Sequence, residues 1–253
     1  MRAVIIIVSV VAALLAGIIA ALGPGARFGL WDYSTALGLM RQMALPALIV
    51  AGAAGIAFLL ALWRARGLAA LAFIAMLLAA PAAYAPLKMR QMARANPVIH
   101  DITTDFDNPP AIVAAARLPR KNPPAYVGAQ KAPRSEMTVA EAQLAAFPDI
   151  APMIVAAALD RTAKAARAVL AAMKLETLAE GPVGEEAGSG WRIEAVATSF
   201  WYGFKDDFIV RLTPAPTGGV RVDLRSKSRV GGSDLGANAA RVRAFMKKLD
   251  AAI

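Results

Sequence analysis

Val220–Val230 reads VRVDLRSKSRV, and its side chains are of two kinds in strict alternation. Val220, Val222, Leu224, Ser226, Ser228 and Val230 fall on one side of an extended chain. Arg221, Asp223, Arg225, Lys227 and Arg229 fall on the other, the period-2 pattern of a half-buried strand. The chain then breaks at Gly231 and Gly232 and offers Ser233 or Asp234 as a helix cap. Leu235, Ala239, Val242, Met246, Leu249 and Ile253 follow at helical spacing. A strand, a glycine hinge and a closing helix therefore form one edge of a domain.

Working back from that edge, strands are expected at Leu175–Leu178, Trp191–Ser199 and Asp207–Leu212, joined by short Gly- and Pro-containing loops such as 181–190. Short connections favour antiparallel neighbours. A helix is expected over Ile150–Met173, capped by Asp149 and with Pro152 in its first turn. Its apolar side would carry Val155, Leu159, Thr162, Ala166, Leu170 and Met173. Helix, strands, helix is an α+β order, read as a two-layer domain of antiparallel sheet with both helices on one face; a helix-grip-like fold is the alternative.

The apolar fraction of 58% is too high for an ordinary soluble chain of 253 residues, and the excess lies at the front. Ala3–Leu22 and Leu45–Trp63 carry no charge, and Leu68–Leu87 is apolar apart from interruption at Pro81 and Pro86, where a kink is expected. The first run is longer than the apolar part of a signal peptide, so it reads as a retained helix. Three membrane spans follow, the second and third forming a tight hairpin. The loop 23–44, with Trp31 and Tyr33, suits the membrane surface. The organisation is thus a three-span region (1–95), a proline-rich arm (96–147) and an α+β domain (148–253). In the arm, Pro109, Pro110, Pro119, Pro123, Pro124 and Pro133 exclude long helices.

Eight of the 28 basic side chains but one of the 18 acidic ones lie in residues 1–95, so the net charge of +10 divides into +7 there and +3 beyond. Most of the imbalance flanks apolar spans, where basic residues orient helices or meet anionic lipid, and nucleic acid is not an expected partner. The absence of cysteine excludes disulfides, thiolate nucleophiles and cysteine metal sites.

YGFKDD (Tyr202–Asp207), RSKSRVGGSDLGANAARVR (Arg225–Arg243) and HDITTD (His100–Asp105) together closely resemble the bacterial family of unknown function designated DUF1499, over roughly His100 to the C-terminus. The resemblance implies no activity, substrate or cofactor. It does imply an extracytoplasmic setting for the domain. With the first span dominating orientation, the expectation is an inner (plasma) membrane protein with its N-terminus inside and its domain outside.

No catalytic constellation stands out, and no cofactor is expected. Asp101, Asp105 and Asp107 beside His100 could hold a cation but lack a recognised metal spacing and read better as turn residues. GGSDLG (Gly231–Gly236) could aim amides at an anion, but the Asp234 carboxylate would compete for them. Asp206 and Asp207 invite acid/base chemistry, yet neighbours in a strand face opposite sides, and a salt bridge from Asp207 to the adjacent arginine-rich strand is the simpler reading. What remains is a candidate ligand-binding set: the row Arg225, Lys227 and Arg229, the turn residues Trp201 and Tyr202, and Asp206 with Asp207. The favoured function is a noncatalytic envelope module that binds anionic lipid or another membrane protein. A hydrolase using Asp206, Asp207, Ser226 or Ser228, and a structural subunit of a membrane complex, are the alternatives.

Overall fold

In lipid, a backbone can satisfy its polar groups only by closing them on itself, and each charge-free run does so as a helix. The computed structural model describes residues 1–184 and 189–253. Its first unit comprises Met1–Arg94 together with Phe200–Gly203. Helices α1 (Arg2–Arg27), α2 (Tyr33–Gln42), α3 (Ala44–Arg64) and α4 (Ala69–Ala95) build it. A single 3-10 turn, Arg66–Leu68, joins α3 to α4. Among the described residues, three helices, α1, α3 and α4 with its preceding turn, are long and apolar enough to cross a membrane.

The packing of this unit inverts that of a soluble core. Ala12, Ala54, Ala75 and Ala79 are buried together, as are Ala61, Ala65 and Ala72 with Ile5. Large side chains such as Ile7, Leu14, Leu45, Ile49 and Leu59 point outward. Small residues let helices approach closely while lipid solvates the large ones, as in membrane bundles. The loop expected over 23–44 is largely helical instead: α1 runs on through Pro24 to Arg27, and Asp32 caps α2 by accepting the Ser34 amide at 2.8 Å. α4 also runs unbroken through Pro81 and Pro86.

The second unit comprises Ala95–Ser199 and Phe204–Ile253. Strands β1 (Asp101–Thr103), β2 (Met153–Val155), β3 (Glu176–Pro182), β4 (Trp191–Thr198), β5 (Lys205–Pro214) and β6 (Val220–Ser228) form one open antiparallel sheet in the order β1-β6-β5-β4-β3. β2 pairs with the same edge of β6 as β1, at the other end of the strand. The expected 181–190 loop is partly strand, and its residues 185–188 lie outside the described residues.

Helices α6 (Leu159–Ala172) and α7 (Ala237–Asp250) cover one face of the sheet. Ile193, Ala195, Phe208, Val210, Leu212, Val222 and Leu224 meet Leu170, Val242, Phe245 and Leu249 there. The Phe208 and Phe245 rings lie 5.2 Å apart between centroids. Burying each large side chain contributes about 1.5–3 kcal/mol, so this layer dominates the domain's stability.

The helix expected over Ile150–Met173 begins later, at Leu159. β1 leaves half of the β6 edge unpaired, and Met153–Val155 fill it opposite Val220–Val222, satisfying backbone groups that would otherwise be buried without partners. Asp149 does not cap that helix; it pairs with Arg243 at 2.5–2.6 Å. β6 is also not half-buried. Both of its faces are buried, because segment 105–147 packs where solvent was expected. That arm is ordered by a 3-10 turn (Ala114–Arg117) and by helix α5 (Val139–Ala146), whose Thr138 and Glu141 form a reciprocal capping box.

Candidate functional site

The alternation in β6 divides its polar side chains between two layers. Asp101, Glu194, Asp207, Arg211, Asp223, Arg225, Lys227 and Arg229 belong to the face under the arm, and Ile112 and Ala115 pack there against Ile209. Asp206, Ser226 and Ser228 belong to the helix face.

Under the arm, Asp101 sits opposite Lys227 in the β1–β6 register. Its carboxylate accepts Arg225 Nε and Nη2, both at 2.9 Å, and Lys227 Nζ at 2.8 Å. The three side chains are at most 2% exposed. One carboxylate facing two cations leaves an excess of charge, and the arm's carbonyl oxygens answer it. Arg225 also donates to Pro110 O at 3.2 Å and Pro124 O at 3.0 Å, and Lys227 donates to Ala125 O at 2.8 Å. Proline-rich chain is extended and cannot use its carbonyls in a helix, so it can point them at a guanidinium. The arm therefore solvates the basic row from inside the protein. Burial, reinforced by the charges of Arg225 and Arg120, lowers the Lys227 pKa against the opposing pull of Asp101. The Tyr126 ring lies under Arg225 at 5.4 Å, and burial and the Asp101 charge push its phenol above the usual range.

Two further ionic groups flank this centre. At one end Asp207 accepts Arg229 Nε at 2.8 Å and Arg120 Nη1 at 2.9 Å. At the other, Arg211 bridges Asp105 at 2.8 Å and Asp223 at 2.9 Å, and Arg221 reaches the same two carboxylates at 3.0 Å. Burial raises the Asp105 pKa, but the Asn108 amide and the two arginines outweigh it and hold the carboxyl below its ordinary value. Glu194 pairs with Arg192 at 3.1 Å and has further partners in the arm. Its carboxylate accepts the amides of Val113, Ala114 and Ala115 at 3.0–3.2 Å, gripping the N-terminus of the arm's 3-10 turn.

On the helix side, Arg241 of α7 donates to Asp206 and to Ser226 Oγ, both at 2.8 Å, and to the Asn238 side-chain oxygen. Asn238 accepts the Ser226 hydroxyl at 2.7 Å and donates to Ser228 Oγ at 3.0 Å and to the His100 carbonyl at 3.2 Å. Asp234 accepts the Gly236 and Asn238 amides at 2.8 and 2.9 Å, closing the hinge into α7. Burial, with the Asp206 charge beside it, raises its pKa despite those amides. Burial and Lys227 lower the pKa of His100, with Asp101 opposing.

The candidate ligand-binding residues are thus separated into three places. Under the arm Arg225 and Lys227 share Asp101 and Arg229 is bonded to Asp207, Asp206 is bonded to Arg241, and Trp201 and Tyr202 belong to the first unit. The opposite facing of Asp206 and Asp207, and the bridge from Asp207 to Arg229, agree with the strand geometry expected of them. Among the described residues no group of three His, Cys, Asp or Glu side chains could hold a metal ion. Glu194, Asn238 and Arg241 escaped sequence reasoning as sites, although Asn238 and Arg241 lie in a quoted motif, and Asp101, weighed as a cation ligand and read as a turn residue, is instead the counter-ion of Arg225 and Lys227.

A family model described as "Protein of unknown function (DUF1499)" matches residues 101–249, a span that holds both polar layers, the arm and nearly all of α7. No curated protein and no solved structure matches the chain. With more than half of its 253 residues under that model, the chain belongs to the DUF1499 family.

Proposed function

We propose that the protein is a noncatalytic module of the cell envelope: three spans hold it in the inner (plasma) membrane, and its extracytoplasmic domain binds another membrane protein or an anionic lipid. The observation that carries this reading is the internal engagement of the four side chains on which a hydrolase reading would rest. The Ser226 and Ser228 hydroxyls are tied to Asn238, and Asp206 and Asp207 to arginines on opposite faces. A nucleophile needs a base within hydrogen-bond reach and an approach for substrate, and neither serine combines the two. Arg225, Lys227 and Arg229 serve as internal counter-ions that hold the arm, so partner contact falls to the outer surface that the arm creates.

The test is native mass spectrometry of the full chain extracted with its own lipids, alongside in-cell crosslinking. A stoichiometric lipid or protein that co-purifies supports the module. Absence of any such partner, together with ester or amide hydrolysis lost in Ser226→Ala or Ser228→Ala, replaces it with the enzyme reading. Orientation is tested on the same cysteine-free chain. Glu136, whose side chain is 95% exposed, replaced by cysteine should react with an impermeant thiol reagent in intact spheroplasts. Reaction only after lysis overturns the extracytoplasmic placement.

A further inference from the structure

The first unit contains a piece of chain that no membrane span supplies, the turn Phe200–Gly203. Phe200 is 87% exposed and Trp201 40% exposed, and Tyr202 packs with Leu15, Ala26 and Met89 around the buried cluster of Ile19, Leu22 and Met40. Arg27, in the last turn of α1, donates from its guanidinium to the Phe200 carbonyl. The Trp201 ring lies against Gly23, so close that any Cβ there would collide with it. These contacts fix the turn at the level of the C-terminal end of α1.

That level can be assigned from helix geometry. With 26 residues, α1 is about 39 Å long at 1.5 Å per residue, against a hydrocarbon core of about 30 Å. After Arg2 it carries no charge before Arg27, so its last turn stands where a guanidinium meets headgroups. Other apolar side chains at this end are also turned outward: Phe28 is 76%, Leu30 74% and Trp31 36% exposed. In water such a set would be an aggregation liability, whereas beside a span it is an aromatic belt.

We propose that the Phe200–Gly203 turn is a second, non-helical membrane anchor. Phe200 enters the boundary between headgroups and acyl chains of the bilayer that α1 crosses, and Trp201 lies flat between the helix and the headgroups. The occupant of this exposed apolar set is lipid, because the same unit's outward-facing Ile7, Leu14 and Ile18 on α1 already require it along the length of that helix. The anchor is independent of whatever the domain binds.

The experiment uses the full cysteine-free chain in nanodiscs of phosphatidylcholine and phosphatidylglycerol. Phe200→Cys, Phe28→Cys and Glu136→Cys are labelled separately with an environment-sensitive fluorophore. The Phe200 and Phe28 labels should both be blue-shifted relative to the Glu136 label and quenched by lipids carrying a spin label at the top of the acyl chain. An unlabelled Phe200→Leu chain should retain wild-type protease resistance, and Phe200→Asp should lose it around the turn in nanodiscs. A Phe200 label with the emission and quenching of the Glu136 label overturns the proposal. So does one that is blue-shifted but untouched by lipid quenchers, which would identify a protein cover instead.

Discussion

Arg225 grips Asp101 along both edges of its carboxylate, with Nε 2.9 Å from Oδ1 and Nη2 2.9 Å from Oδ2. The pair joins the first strand of the domain to the last, and Lys227 adds a second cation to the same oxygen that Arg225 Nη2 reaches. Bidentate geometry and full desolvation make this contact sensitive to the loss of either partner. Asp101→Asn leaves two cations buried without their carboxylate and should destabilise the domain by about 3–5 kcal/mol. The triple variant Asp101→Leu, Arg225→Met, Lys227→Met should recover most of that loss. Urea unfolding of the full chain in detergent, followed by circular dichroism, checks both. Wild-type stability in Asp101→Asn would show that the carboxylate is not needed where it lies.

Glu194 should act as the clasp of the arm. Removing a buried acceptor from three backbone amides costs about 1–3 kcal/mol. In Glu194→Ala the expected result is faster trypsin cleavage at Arg117, Arg120 and Lys121, with faster amide exchange at Val113–Ala115 and unchanged protection in β5. Equal cleavage rates in the two chains would argue that the arm's ion pairs and carbonyl contacts hold it without Glu194.

His100 is the one histidine of the chain, which makes its titration separable. Its pKa is lowered in the folded protein by burial and by Lys227, so the unfolded state binds more protons once the pH falls below the ordinary value of 6.5. Its contribution to stability is present above pH 6.5 and is lost as the pH falls through the folded-state value. Thermal melts of the full chain should therefore fall between pH 7 and pH 5, and the fall should be shallower in His100→Gln. Parallel slopes in the two proteins would assign the acid sensitivity to carboxylates.

Gly23 should tolerate no side chain while Trp201 is present. Gly23→Leu forces overpacking against the indole, a change that costs about 1–3 kcal/mol. Trp201→Ala should relieve it, so the double variant should be more stable in detergent than Gly23→Leu alone. Additive losses would place the ring elsewhere.

Much of this fold was legible because alternation and helical spacing are local signals. The two sides of β6 were assigned correctly from Val220–Val230, since a strand's period leaves no other choice. What covered them was not, because the arm that buries Arg225, Lys227 and Arg229 has no periodicity of its own. It is held by carbonyl oxygens, which every residue carries. The capping box Thr138-x-x-Glu141 and the Asx cap at Asp32 were readable helix starts, obscured by the surrounding prolines and by the expectation of a surface loop. The late start of α6 was less accessible. Val155 lies four residues before Leu159 and so extends the apolar stripe of the helix, and only the unfilled edge of β6 decides that it is strand. The ligand-binding set suffered from the same limit, for a row of like charges reads as a surface until its counter-ions arrive from elsewhere in the chain.

The placement of β1 bears on how the domain is made. Asp101 leaves the ribosome 126 residues before the Lys227 that neighbours it in the sheet. Throughout that interval the first strand has been synthesised close behind a membrane helix but has no edge to join. Such distant pairing is slow because loop closure must precede any gain from contact. β1 and the Asp101 carboxylate thus find their partners only once β6 has been made. A chain terminated before Arg225 would lack both cations of Asp101 and the α7 helix that covers the sheet, leaving an unmatched carboxylate and an exposed apolar face.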